Sequence, residues 1–177
     1  MLDRDGVINV GSPAHIKSLQ EWQEISGSLA AIAQLNQAGY KVVICTNQSC
    51  IGKNIITLEM LNTIHQKLQD NLKAIGGYID RFFICPHREE DQCLCRKPKP
   101  GLLLQVAEYY KVQLDRVYMI GDRIKDVLAA KAANAKPILV KSGEMTLKEE
   151  LENYTIWKDV PVYQDLKSFV ELLLSNE

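Results

Sequence analysis

Short apolar runs of strand type alternate along this chain with apolar stripes at helical spacing, and that alternation restricts the fold more than any other feature. Lys41 to Thr46 (K-V-V-I-C-T) is apolar without a period of two, as a strand covered on both faces should be. Similar runs lie at Arg81 to Cys85, Val117 to Ile120 and Pro137 to Val140. Between them, Leu29, Ile32, Ala33 and Leu35 form a helical stripe that stops at Gly39. Thr57 caps a longer helix with Leu58, Leu61, Ile64, Leu68, Leu72 and Ile75 on its apolar face and Gly76-Gly77 at its end. His65 is placed on the surface side of that helix. Further stripes run through Leu103, Val106, Ala107 and Tyr110, over Ile124 to Ala133, and through Leu166, Phe169, Val170 and Leu173, with a capping-box signature at Thr146-x-x-Glu149. Strand and helix in alternation imply parallel strands joined by right-handed crossovers. The expectation is an α/β, Rossmann-like parallel sheet with helices on both faces, as one domain over residues 1–177.

Charge narrows the partners. With 21 basic and 22 acidic side chains the net charge is −1, which gives no excess of cations for nucleic acid or an anionic membrane. The first ten residues carry Asp and Arg where a signal peptide is apolar, and no apolar run reaches the length of a membrane span. A cytoplasmic protein is expected, a monomer by default, acting on a small molecule.

Asp3-Arg4-Asp5-Gly6-Val7 follows a stub of strand, and alternate strand residues point the same way, so both carboxylates can converge on one site. Ligands of open parallel sheets bind beyond the carboxyl ends of the strands. Two carboxylates there repel each other unless a cation such as Mg²⁺ lies beside them. Asp122, in G-D-R-I-K-D at another strand end, offers a third oxygen ligand, and Thr46-Asn47-Gln48 ends a third strand. The plainer alternative is that D-R-D-G and G-D-R are turns. Their coincidence with a third strand end favours an active site.

Cys85, Cys93 and Cys95 fall within eleven residues, with His87 between the first two. In a reducing compartment such bunching points to metal before disulfides, and a Cys₃His set suits tetrahedral zinc. Cys45 lies in an apolar strand and is expected in the core.

D-R-D-G-V, a Thr ending the second strand, a Lys before the next helix and G-D-x-x-x-D resemble the four motifs of the haloacid-dehalogenase phosphatase superfamily. I-C-T-N-Q-S-x-I-G, C-P-H-x5-C-x-C and R-K-P-K-P-G further resemble its small zinc-containing branch, the heptose-bisphosphate and histidinol-phosphate phosphatases. The resemblance implies the haloacid-dehalogenase fold without a large cap domain, with a zinc loop at about 85–100. It makes Asp3 the nucleophile and Asp5 the general acid and base, with Asp3, the carbonyl of Asp5, and Asp122 as Mg²⁺ ligands. Thr46, Asn47, Gln48 and Lys97 would hold the phosphoryl group, and Arg96 and Arg123 the rest of the substrate. Asp126 would support the site or cap its helix, and Cys85, His87, Cys93 and Cys95 would bind a structural Zn²⁺. The implied substrate is a phosphorylated heptose, whose product serves glycan precursor synthesis, or histidinol phosphate, an amino-alcohol ester. A zinc-stabilised binding module without activity is the alternative of another class. Two departures stand out. Only Met1 and Leu2 precede Asp3 where the family has a full strand, so the expectation is either that the chain is truncated or renumbered, or that this strand is a stub and the site weakened. Cys50-Ile51-Gly52-Lys53-Asn54 replaces G-I-A-R-G, so its larger side chains should narrow or stiffen the pocket mouth, while His15 is expected on the surface, with a substrate contact as the alternative.

Overall fold

The computed structural model describes residues 1–143, 155 and 158–176. The elements, in order, are α1 (Ser28–Gln37), β1 (Val43–Asn47), α2 (Ser49–Gly52), α3 (Leu58–Ala74), β2 (Arg81–Cys85), α4 (Gly101–Tyr110), β3 (Tyr118–Gly121), α5 (Ile124–Ala132), β4 (Lys136–Val140), β5 (Val162–Tyr163) and α6 (Leu166–Ser175). β2 pairs with β1, β3 with β4 and β4 with β5, all parallel. The stub before Asp3 joins the two groups. Leu2 bridges Ile44 on one side and Ile120 on the other, both parallel. Its backbone bonds are Leu2 N to Val43 O at 2.9 Å, Cys45 N to Leu2 O at 2.8 Å, Asp3 N to Ile120 O at 2.9 Å and Ile120 N to Met1 O at 2.9 Å. The order is therefore β2, β1, stub, β3, β4, β5, with the stub at the centre. Short as it is, it is hydrogen-bonded on both edges and fixes where Asp3 emerges.

Alternate side chains of the strands go to opposite faces, and both faces are covered. Leu2, Ile44, Ile120, Ile138 and Val140 pack with Ile32 and Leu35 of α1, Ile64, Leu68 and Leu72 of α3, and Phe169 and Val170 of α6. Val43, Cys45, Phe83, Cys85 and Met119 pack on the other face with Leu102, Leu103 and Val106 of α4 and Ala129 and Ala130 of α5. Thr57 caps α3 as expected, its side chain accepting from Met60 N. Leu58 and Ile75, placed on the apolar face of that helix, are instead exposed at its two ends. His65 corrects the expectation more sharply. It is only 5 % exposed, because Leu61, His65, Leu68 and Leu72, spaced four, three and four apart, share one face. Thr146 and Glu149 lie outside the described residues. Among the described residues no helix is long and apolar enough to cross a membrane.

Candidate active site

The carboxyl ends of the stub, β1 and β3 meet at a cavity of about 420 Å³. Asp3, Asp5, Thr46, Asn47, Arg96, Asp122 and Arg123 all line it. Asp3 leaves the sheet between β1 and β3, and Asp122 directly follows β3, so the register of the stub sets one against the other. Gly6 makes their approach possible. Its φ is +85°, and a Cβ there would overlap the Asp122 carboxylate.

Asp3, Asp122 and Asp126 place one carboxylate oxygen each within 4.8 Å of one another, all buried. Lys97 is the ammonium among them, buried, with Nζ 2.9 Å from Asp3 Oδ2 and 2.6 Å from Asp126 Oδ1. Burial works against its charge, but Asp126 and Asp3 outweigh that and hold its pKa above the usual lysine value. One ammonium cannot balance three carboxylates. Burial pushes the Asp3 carboxyl up, against the pull of Lys97. Asp122 is raised as well, by burial first and then by Asp126 and Asp3, and its buried Oδ1 has no hydrogen-bond partner among the described residues. A buried oxygen set that carries two negative charges in excess of its ammonium fits a hard divalent cation of the Mg²⁺ class.

Asp126 does two things that the sequence left as alternatives. Its Oδ2 accepts from Arg123 N at 3.1 Å, closing the N-terminus of α5, and its Oδ1 meets Lys97. Asn47 turns its amide to the backbone of Lys97, donating to Lys97 O at 3.0 Å and accepting from Lys97 N at 3.1 Å. That clamp joins β1 to the segment carrying Lys97. Gln48 donates from Nε2 to Asp5 Oδ2 and Thr46 Oγ1, both at 2.9 Å.

Sequence reasoning gave Arg4 no role, yet it is fully buried. Its Nε donates to Asp5 Oδ1 at 3.0 Å, and NH2 reaches Oδ1 at 2.9 Å and Oδ2 at 3.0 Å. Burial pushes Asp5 up, but Arg4, Asn9 and Gln48 outweigh it and hold the carboxyl below the usual range. The available signal was the strand period: Arg4, between two residues facing the site, must point elsewhere.

His15, with φ 63°, lines the cavity beside Gly11, Ser12 and Pro13 rather than standing clear of it. None of Cys50 to Asn54 lines it, which corrects the expected narrowing. Cys50 faces inward, its thiol donating to Gln48 Oε1 at 3.5 Å, and Gly52 N bonds Pro86 O at 3.0 Å. A second cavity of about 660 Å³ shares Arg96, Arg123 and Lys125 with the first and adds Lys99 and Glu89.

Beside it, Cys85, His87, Cys93 and Cys95 converge. Sγ of Cys85 lies 3.6 Å from His87 Nδ1, 3.6 Å from Cys93 Sγ and 3.2 Å from Cys95 Sγ. Cys95 Sγ is 3.3 Å from His87 Nδ1 and 3.5 Å from Cys93 Sγ. These separations approach the ~3.7 Å edge of a tetrahedron with Zn–S bonds of about 2.3 Å. The three thiols are affected unequally: at Cys93 burial is outweighed by the Arg96 backbone N–H, Cys95 and Cys85, which bring it down to about 7, while burial pushes Cys85 and Cys95 up.

Comparison with known proteins supplies the class first: the HAD-hydrolase-like family model matches residues 94–169. The D-glycero-beta-D-manno-heptose-1,7-bisphosphate 7-phosphatase of Pseudomonas aeruginosa is 42 % identical over 98 % of this chain and 96 % of its own length. The crystal structure of the D,D-heptose 1,7-bisphosphate phosphatase from Bordetella bronchiseptica, complexed with magnesium and phosphate, superposes with a TM-score of 0.95. Its identity is 40 %, covering 99 % of this chain and 97 % of that one. The corresponding enzyme from Burkholderia thailandensis has a TM-score of 0.74 at 35 % identity, covering 98 % of this chain and 96 % of that one. The chain belongs to the D-glycero-beta-D-manno-heptose-1,7-bisphosphate 7-phosphatase family, within the HAD-like phosphatases.

Proposed function

We infer that this protein is a phosphomonoesterase that removes the 7-phosphate of D-glycero-D-manno-heptose 1,7-bisphosphate. The observation that carries the chemistry is the buried cluster of Asp3, Asp122 and Asp126, with Lys97 paired to Asp3 and Asp126 and with Asp122 Oδ1 unpartnered among the described residues. Asp3 and Asp122, with the backbone carbonyl of Asp5, would hold Mg²⁺, which when bound neutralises charge between an anionic nucleophile and an anionic phosphate. Asp3 attacks phosphorus through a carboxylate oxygen, forming an aspartyl-phosphate as the bond to the substrate oxygen breaks. Asp5, held ionised by Arg4 before substrate binds, would take up a proton as the phosphorylated substrate brings its negative charge into the site and pass that proton to the leaving oxygen. Water then attacks the phosphorus, Asp5 takes back a proton, and inorganic phosphate leaves Asp3. Thr46 and Lys97 hold the phosphoryl oxygens, while Asn47 and Gln48 position Lys97 and Asp5.

Arg96 and Arg123 border both cavities, which suits them to the phosphate that is not hydrolysed. Histidinol phosphate lacks that second anion, and the relatives described above all act on the bisphosphate. Cys85, His87, Cys93 and Cys95 would hold Zn²⁺ as a closed structural site that presents Arg96 and Lys97. The test is phosphate release from heptose bisphosphate and histidinol phosphate side by side, with Mg²⁺ present. The bisphosphate should give the higher kcat/KM, and Asp3→Asn should abolish turnover with the fold kept. A preference for histidinol phosphate would reassign the substrate, and full activity of Asp3→Asn would exclude the aspartyl-phosphate.

A further inference from the structure

We propose that His65 is a positioning residue for Asp5, acting through Arg4; this rests on the assignment of Asp5 as general acid and base. Arg4 uses Nε and NH2 on Asp5, and NH2 also donates to Gln48 Oε1 at 3.2 Å. Its other terminal nitrogen, NH1, lies 3.2 Å from His65 Nε2. A guanidinium has only donors, so Nε2 accepts and the imidazole proton sits on Nδ1. The ring is held in turn: it stacks on Phe82 of β2 with centroids 4.3 Å apart and planes 14° from parallel. A chain of contacts thus runs from β2 through α3 to Arg4 and ends on the carboxylate of Asp5.

That chain fixes both ends of the guanidinium fork. Arg4 is fully buried, so NH1 has no water to turn to if its acceptor is lost. The fork also orients Gln48, whose Oε1 accepts from Arg4 while Nε2 holds Asp5 Oδ2 and Thr46 Oγ1. His65 does not line the cavity and its described contacts are with Arg4 and Phe82. Its loss should therefore misplace the acid and base without weakening substrate binding. Burial, and after it the charge of Arg4, keep the ring neutral, with a pKa of about 3, so it remains an acceptor across the working pH range.

Two variants separate positioning from packing. His65→Phe keeps a ring to stack on Phe82 and removes the acceptor; His65→Gln loses the ring and offers an amide oxygen to NH1. With heptose bisphosphate, His65→Phe should lower kcat on the order of tenfold, a part of the 10² to 10⁴ that acid-base catalysis supplies, with KM within about twofold. His65→Gln should retain most of kcat. A His65→Phe enzyme with wild-type kcat, or a His65→Gln enzyme as slow as His65→Phe, overturns the proposal. Nitrogen NMR of wild-type His65 gives a readout that needs neither variant to fold: Nε2 should be bare at neutral pH, and a protonated Nε2 overturns the contact. A wild type inert toward both the bisphosphate and p-nitrophenyl phosphate would overturn the catalytic assignment of Asp5 and the role of His65 with it. That outcome is distinct from an active wild type matched by His65→Phe.

Discussion

Lys97 shows how much of this site depends on one side chain. It is 1 % exposed and lies between two carboxylates, so its removal leaves buried charge without a partner. Lys97→Ala should lower unfolding free energy by about 3–5 kcal/mol, measured by urea titration in metal-free buffer, and should slow hydrolysis of any phosphomonoester. Gly6→Ala should act on the same cluster from the other side. A Cβ there collides with the Asp122 carboxylate, so Mg²⁺ affinity by calorimetry should fall sharply while Asp3 stays in place. At this scale the carboxylates were legible in the sequence because turn chemistry and strand ends are local. The contact of Arg4 with His65 was not, because the two stand 61 residues apart and meet only once α3 packs on the sheet.

Among the elements, the loop from Pro86 to Pro100 has little core of its own, so the proposed zinc site, three of whose four ligands it carries, would supply its stability. Only Lys97 is buried among those fifteen residues, and Leu94 is 80 % exposed. Cys93→Ser should therefore reduce bound zinc from about one per chain, by elemental analysis, and expose the loop to limited proteolysis. Activity should fall as a consequence, since Asn47 grips Lys97 at the far end of the same segment. Most helices and strands were readable from period and caps, with bounds shifted by a residue or two. β5 and α2 were not, because two and four residues are too few to display a period. β5 exists through its pairing with β4, with Leu139 opposite Val162 and Val140 opposite Tyr163. The Asp165 cap of α6, accepting from Ser168 N at 2.8 Å, was in plain sight as an Asx residue before an apolar stripe.

Over the whole molecule, folding must take His65 out of water uncharged, and that makes stability fall in acid. Its folded pKa of about 3 lies below the ordinary 6.5, so below pH 6.5 the unfolded chain binds a proton that the folded chain refuses. The stabilisation is fully present above pH 6.5 and is lost as pH falls toward 3, at up to about 1.4 kcal/mol per pH unit. Wild type should lose stability relative to His65→Gln across that window, measured by denaturant titration at successive pH values. A constant difference would show that the ring stays exposed to protons.

The sheet order has a mechanical corollary. Among the described residues, the sheet hydrogen bonds that join its two halves, β2 with β1 and β3 with β4 and β5, run through the backbone of Met1, Leu2 and Asp3, and Asp3, the proposed nucleophile, is the last stitch of that seam. Any shear between the halves must move Asp3 against either Thr46 or Asp122. Amide exchange at Leu2, Asp3, Cys45 and Ile120 should therefore proceed in concert, and slow together when a phosphate analogue spans the seam.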